Sequence, residues 1–196
     1  MASNITITPG FDPQEREEVA RLYWQAFAAK LGRVMRPEAR AIAFIEAGLD
    51  PQFALSARDP AGRLLGVAGF KTAHGGLLAG GLPDMMRHYG AWGGLWRGLL
   101  LSVLERDTED GVLQMDGIFV SSKARGQGAG GALLDAITAE ARAQGCTRVR
   151  LDVIDTNPRA QALYERKGFV ATGREDTGPF RWLFGFRSAT RMERPV

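Results

Sequence analysis

The residues with the clearest chemical use are seven in a row, Arg125-Gly126-Gln127-Gly128-Ala129-Gly130-Gly131. They follow an apolar, strand-like run from Met115 to Val120 and open a helix-like run from Ala132 to Ala143. Glycine lets backbone N–H groups approach a ligand with no Cβ in the way, and the first N–H groups of a helix have no carbonyl partner of their own. With the positive end of the helix dipole they make an anion site, for which phosphate or pyrophosphate is the natural occupant. A second constellation lies downstream, where Asn157 and Tyr164 stand seven positions apart. Two helical turns put them on one face, about 10 Å apart along the axis. Asn157 is also a natural N-cap, with Pro158 at the first helical position.

The elements that must position these residues follow from periodicity and punctuation. Ile5 and Ile7 alternate with polar residues as a short opening strand. Asp12-Pro13-Gln14-Glu15 is a helix start with a capping box, and Val19, Leu22, Tyr23, Ala26 and Phe27 follow at helical spacing. A second helix is expected from Pro37 to Ala47, stopped by Gly48. Residues 52–58 and 63–71 predict a hairpin across Asp59-Pro60-Ala61-Gly62. Strands are expected over 112–120, 148–154, 169–173 and roughly 184–192, with helices from the glycine loop to Gln144 and from Pro158 to Gly168.

Residues 72–111 differ from the rest. A glycine-rich stretch leads into a long apolar run in which Gly90, Gly94 and Gly98 fall four apart, a pattern that lets helices approach closely. The run from Tyr89 to Leu104 has 16 residues with Arg97 inside it, short of the ~18 mostly uncharged residues of a membrane span. It predicts a helix packed on the domain or on a second copy of the chain, as in a homodimer. Trp92 and Trp96 suit either core filling or a substrate wall.

Bulk properties narrow the classes. A chain of 196 residues fits one domain, and a net charge of +3 spread among acidic residues lacks the basic stripe that nucleic-acid binding needs. One cysteine, Cys146, forbids an intrachain disulfide, and no Cys/His cluster suggests a metal. The N-terminus has neither the basic nor the apolar region of a signal peptide, so a reducing, cytoplasmic setting is expected.

Gly126, Gly128 and Gly131 also satisfy G-x-G-x-x-G, but Ser121 to Arg125 separate them from the strand end, where a dinucleotide fingerprint wants its first glycine. Only one βαβ crossover is visible as well. The chain instead resembles the GNAT superfamily of N-acetyltransferases. Arg125-x-x-Gly128-x-Gly130 matches that family's (Gln/Arg)-x-x-Gly-x-(Gly/Ala) loop, and Asn157…Ala160…Tyr164…Gly168-Phe169 matches its second half in order and spacing. The resemblance covers Leu113 to Gly173, extends to the flanking elements and leaves 72–111 unmatched.

The resemblance implies a mixed α/β (α+β) fold, a single GNAT-like domain over 1–196. Its central mixed sheet would have about six to seven strands flanked by helices, with a helical insertion at 72–111 before the cofactor-binding strand. It implies acetyl-CoA as acetyl donor, no metal, and a primary amine of a small molecule or a protein as acceptor. Arg125, Gly126, Gln127, Gly128, Ala129 and Gly130 would take the pyrophosphate; Ile118, Phe119 and Val120 the pantetheine arm; Asn157 and Tyr164 would also touch the cofactor. The thioester would sit where two parallel strands splay, and the amine would attack it directly, with coenzyme A leaving as thiolate.

Tyr164 is then a candidate general acid for the departing sulfur, its alternative being an amphipathic core residue. Asp116 is a candidate base, placed by period-two alternation on the face of Ile118 and Val120; pairing with an arginine is the alternative. His74 and His88 are runners-up. Lys123, Arg159, Arg166 and Lys167 are candidates for the 3′-phosphate. The acceptor side is expected from Tyr23, Trp24, Phe27, part of 72–98, and Phe180, Trp182, Phe184 and Phe186. A non-catalytic acyl-CoA-binding module is the competing class.

Overall fold

Pro13 and the Asp12–Glu15 pair start the first helix as the sequence suggests. The Glu15 carboxylate accepts from the Asp12 N–H at 2.9 Å, and a 3-10 turn over Pro13–Glu15 leads into α1 (Arg16–Leu31). The computed structural model describes residues 4–102, 108–178 and 181–196. After β1 (Thr6–Pro9) and α1 come α2 (Glu38–Gly48), β2 (Ala54–Arg58), β3 (Leu64–Thr72) and the two-residue β4 (Gly75–Gly76). Helices α3 (Leu82–Tyr89) and α4 (Ala91–Ser102) precede β5 (Val112–Val120). Then follow α5 (Ala129–Ala143), β6 (Arg148–Ile154), α6 (Pro158–Arg166), β7 (Val170–Asp176), α7 (Arg181–Phe184) and β8 (Ser188–Pro195).

The strands form one sheet in the order β1-β2-β3-β5-β6-β8-β7, with β4 beside β3. Every pairing is antiparallel except β5–β6, which the α5 crossover forces to be parallel. Apolar side chains fill both faces. Val19, Leu22 and Trp24 of α1, Phe44 and Ile45 of α2, and Val67 and Phe119 of the sheet belong to one cluster. Leu133, Leu134 and Ile137 of α5 pack with Leu113, Met115, Leu151, Tyr164 and Phe169 in the other. The expected mixed sheet is therefore present, its seven main strands joined by the short β4.

Two expectations are corrected. The apolar run of 72–111 is two helices, because Gly90 adopts φ 75° and ends the first. The remaining glycines of the series bring those two helices together: a Cβ on Gly94 would lie 2.4 Å from the Met86 Cα, and one on Gly98 2.7 Å from the Leu82 Cδ1. The hairpin is tied down by Tyr89, whose hydroxyl donates to the Met35 carbonyl at 2.6 Å, and by Arg97, which donates to Val34 at 2.8 Å and Arg36 at 3.2 Å. The last strand starts later than expected, at Ser188, since Phe184 and Phe186 turn into the core around Gly185 at φ 74°. Among the described residues no helix is long and apolar enough to cross a membrane.

Candidate active site

Strand β5 hands its chain to the glycine loop through a tight turn, in which Ser121 N–H donates to the Leu65 carbonyl at 2.9 Å. The Gln127 amide donates to the Lys123 carbonyl at 2.9 Å and holds the loop from within. Gly126 (φ 80°) and Gly128 (φ 93°) both occupy the left-handed region, which side chains resist by about 1–2 kcal/mol. The α5 ladder begins with Ala132 N–H donating to Gly128 at 3.0 Å. Among the described residues, no backbone carbonyl accepts from the N–H groups of Gly126, Gly128, Ala129, Gly130 or Gly131. The glycines thus divide their work. Gly126 and Gly128 shape the turn, whereas Gly130 and Gly131 let α6 close on α5, their missing Cβ atoms lying 3.3 Å from Leu163 and 3.1 Å from Lys167.

The parallel pairing of β5 with β6 is short. Val112, Leu113 and Gln114 pair with Arg148, Val149 and Arg150, and there it stops. Beyond it β5 pairs only with β3, while β6 pairs only with β8, so a wedge opens between them. A β-bulge falls immediately past the last parallel pair: Gly69 faces Gly117 and Phe70 faces Met115, leaving Asp116 as the extra residue. A bulge interrupts period-two alternation.

This overturns the expected placement of Asp116 on the face of Ile118 and Val120. Ile118 and Val120 pack toward the α5 cluster, whereas Asp116 turns to the α1 side. There its Oδ2 accepts from the Leu77 N–H at 3.3 Å. The position is open to solvent, yet protein crowds the carboxylate from several sides. The lost hydration raises its pKa from 3.8 to about 6, against the opposing pull of the Leu77 N–H and of Lys71. Tyr23, close enough to feel the Asp116 charge, is itself pushed upward by burial first and by that charge second. Tyr23, Phe27 and Phe119 form a ring cluster on this face, with centroids 4.6, 5.4 and 6.5 Å apart. Gly117 admits it, since a Cβ there would lie 2.4 Å from the Phe27 Cζ.

Helix α6 delivers the other two residues. Asn157 caps it, its Oδ1 accepting from the Ala160 N–H at 3.2 Å. Tyr164 is buried in the α5-side cluster, its ring 6.0 Å from that of Phe169, and burial pushes its phenol up to about 12. Asp116 therefore lies on the α1 side of the sheet, just past the end of the parallel ladder, and Tyr164 in the core on the α5 side.

Other sequence candidates separate cleanly. Lys123, Arg125, Arg159 and Arg166 are exposed, whereas Lys167 is held by Asp135 at 2.5 Å. His88 is structural: its Nδ1 lies 2.9 Å from the Asp84 carbonyl and its ring stands edge-on to Phe44. His74 is exposed on the β3–β4 turn. Trp24, Phe184 and Phe186 are core residues and not pocket walls, Trp182 is exposed, and Phe180 lies outside the described residues. Grooves of about 540 Å³ beside Thr8–Asp12 and about 400 Å³ between α1 and α2 contain none of the chemistry-bearing residues. Sequence reasoning missed the bulge and Leu77. A glycine inside a strand, here Gly117, was the available signal for the first.

The comparisons with known proteins agree with this architecture. The chain resembles the solved GCN5-related N-acetyltransferase from Kribbella flavida (16% identity over 98% of each chain, TM-score 0.65). It also resembles an N-acetyltransferase from Staphylococcus aureus Mu50 (15% identity over 96% of this chain and 100% of that one, TM-score 0.67). A third likeness is to Ard1 from Thermoplasma volcanium (19% identity over 100% and 99%, TM-score 0.62). At such identities the likeness is one of fold, and a search of curated proteins finds no match. The family model for the acetyltransferase (GNAT) family matches residues 16–169, and with that match over most of its length the chain belongs to the acetyltransferase (GNAT) family.

Proposed function

We propose that the chain, as one domain over 1–196, transfers an acetyl group from acetyl-CoA to a primary amine of a small molecule or a protein. The observation that carries this is the wedge: a parallel ladder that ends at Gln114–Arg150, with Asp116 on the α1 side just past it and Tyr164 buried among the α5-side core residues. The loop fits the donor. The N–H groups of Gly126 to Gly130 suit a pyrophosphate, and the positive φ at Gly126 and Gly128 keeps Cβ atoms out of its way. Exposed Lys123 and Arg125 supply positive charge nearby in sequence, and the open edge of β5 from Ile118 to Val120 suits an amide-bearing arm. When bound, acetyl-CoA supplies an activated acyl carbon and a thiolate leaving group.

The protein's own share is proton management and orientation. A new N–C bond forms as the C–S bond breaks, the amine must lose a proton, and the sulfur must gain one or be stabilised. Asp116 takes the ammonium proton, directly or through water, because a carboxylate poised near pH 6 is both ionised and moderately basic at neutral pH. Tyr164 serves the sulfur. A phenol near 12 cannot hand a proton to a thiolate near ~8.5 without climbing about 5 kcal/mol, so it donates a hydrogen bond as charge develops and transfers the proton only in concert with departure. Tyr23, Phe27 and Phe119 wall the acceptor side with rings, which favours an amine attached to an apolar body. The single cysteine, half-buried and with its thiol pKa raised by burial, suits a reducing cytoplasmic setting.

Calorimetric titration with acetyl-CoA and, separately, NADH tests the donor, with saturable heat expected from the first alone. Loss of thioester absorbance against a panel of amines tests the transfer. Heat with acetyl-CoA but no turnover on any amine would leave a binding module in place of an enzyme.

A further inference from the structure

Helix α4 carries its large apolar side chains on the outside. Trp92 is 85% exposed, Leu95 46% and Trp96 45%, and Leu99, at 73%, continues the stripe. Their i, i+3, i+4, i+7 spacing is that of a helix face shaped for burial. The opposite side packs on the protein, with Gly94 and Gly98 seated on α3 and Arg97 donating to the Val34 and Arg36 carbonyls. Leu82 (42% exposed) and Met86 (36% exposed), the α3 residues met by those glycines, border the stripe. Without counting Leu99, these side chains expose roughly 550 Å². That is near the top of the ~300–600 Å² range for the largest patch on a typical monomer. It is also about two-thirds of the ~800 Å² each partner brings to a standard interface.

We propose that this face is the contact of a two-fold homodimer, the α3–α4 hairpin of one chain packing on that of a second copy. The area is one argument: an isologous contact centred on two tryptophans reaches standard size once Leu99 and the rim are added. Charge is the other. Trp92, Leu95 and Trp96 include no ionisable group, and the helix's one charged side chain, Arg97, lies over the Trp96 and Tyr89 rings with its N–H groups committed to the backbone of the α1–α2 connection. Across a two-fold axis residue i meets j and j meets i, and a residue next to the axis meets its own copy, so a charge at the centre of the stripe would face a like charge. The same neutrality gives an acidic or basic partner nothing to recognise. A lipid surface would want Lys and Arg along the polar side of the helix, and here that side is glycine packed on α3 with one arginine, Arg97, whose N–H groups are spent on the Val34 and Arg36 carbonyls.

Sedimentation velocity of the full chain from about 1 to 100 μM reads the state directly. A mass of two chains is expected. Trp92→Glu and Leu95→Glu, both on exposed positions, each weaken association at least a hundredfold with a native far-UV circular-dichroism spectrum, while Val170→Glu on the remote β7 strand leaves it intact. A one-chain mass at 100 μM overturns the proposal. So does a two-chain mass indifferent to both α4 variants, and so does a one-chain species that pellets with phosphatidylcholine–phosphatidylglycerol vesicles.

Discussion

If Asp116 accepts the ammonium proton, the pH profile of kcat/KM must carry its signature. The carboxyl titrates at about 6 instead of 3.8, because protein crowds it at the bulge. An enzyme that uses ionised Asp116 on the ammonium form of its substrate has both reactants in the right state between about pH 6 and the amine's own pKa near ~10.4. Plotted against total amine, log(kcat/KM) should then rise with unit slope below pH 6 and run level above it. Asp116→Asn keeps an oxygen to accept from the Leu77 N–H but takes no proton, so it must wait for free amine. About 0.04% of a lysine-like amine is neutral at pH 7, a shortage of up to ~10³ in rate; some leakage through water brings the expected loss to roughly 10²–10³. The variant's profile should climb with unit slope from pH 6 to 9, recovering about a thousandfold of its own pH 6 rate by pH 9. Following thioester absorbance at fixed low amine, for both proteins from pH 5 to 9, is sufficient. A wild-type profile that climbs with unit slope to pH 9, matched in shape and height by Asp116→Asn, refutes the assignment.

The same carboxylate has a cost to stability. Its folded pKa lies above the ordinary 3.8, so between about pH 4 and 6 the folded chain holds a proton that the unfolded chain has lost, and stability falls as pH rises through that window. Asp116→Asn should therefore melt higher than wild type at pH 8 and no higher at pH 4. After discounting for the solvent that reaches the group, the gain at pH 8 is about 1 kcal/mol, or roughly 2–4 °C. Gly128→Ala, forced to hold φ 93° with a Cβ, should weaken acetyl-CoA binding about tenfold by calorimetry, whereas Gly130→Ala, whose Cβ meets only Leu163 at 3.3 Å, should change it less than threefold. Tyr164→Phe should lower kcat by about 10- to 100-fold with acetyl-CoA affinity unchanged, since the ring stays buried and only the hydroxyl is lost.

Much of the fold was legible because its signals are local. Asp12-Pro13-x-Glu15, the turn Asp59–Gly62 and the cap at Asn157 each name a boundary through chemistry confined to four residues, and the structure bears them out. The single parallel pair followed from a helix-length crossover between two apolar strands. The insertion was legible only in part. Four-residue glycine spacing reports close helix packing but not that Gly90, by taking φ 75°, would end one helix and make the other its partner. The start of β8 was missed for a similar reason: Phe184 and Phe186 fit a strand by propensity, and only burial in the α1-side core shows that they are spent elsewhere.

At the wedge, the sequence conveys residue types but not their direction. Period-two alternation from Val120 back to Asp116 assumes an unbroken ladder, and one extra residue is enough to invert the result. Gly117 is where that inversion is written. Its missing Cβ leaves room for Phe27, and the bulge beside it sends Asp116 to the α1 face while Ile118 and Val120 stay on the α5 side. Gly117→Ala tests whether that geometry is required. A methyl 2.4 Å from the Phe27 ring costs about 1–3 kcal/mol if the ring must shift, and the backbone at φ 158° adds strain of its own, so Phe27→Leu in the same chain should return only the contact part. Turnover should follow stability in the single variant and recover in part, again with stability, in the double one. A double variant that is stable yet inactive would show that the ring holds the acceptor, and that the bulge alone is not sufficient to align base and thioester.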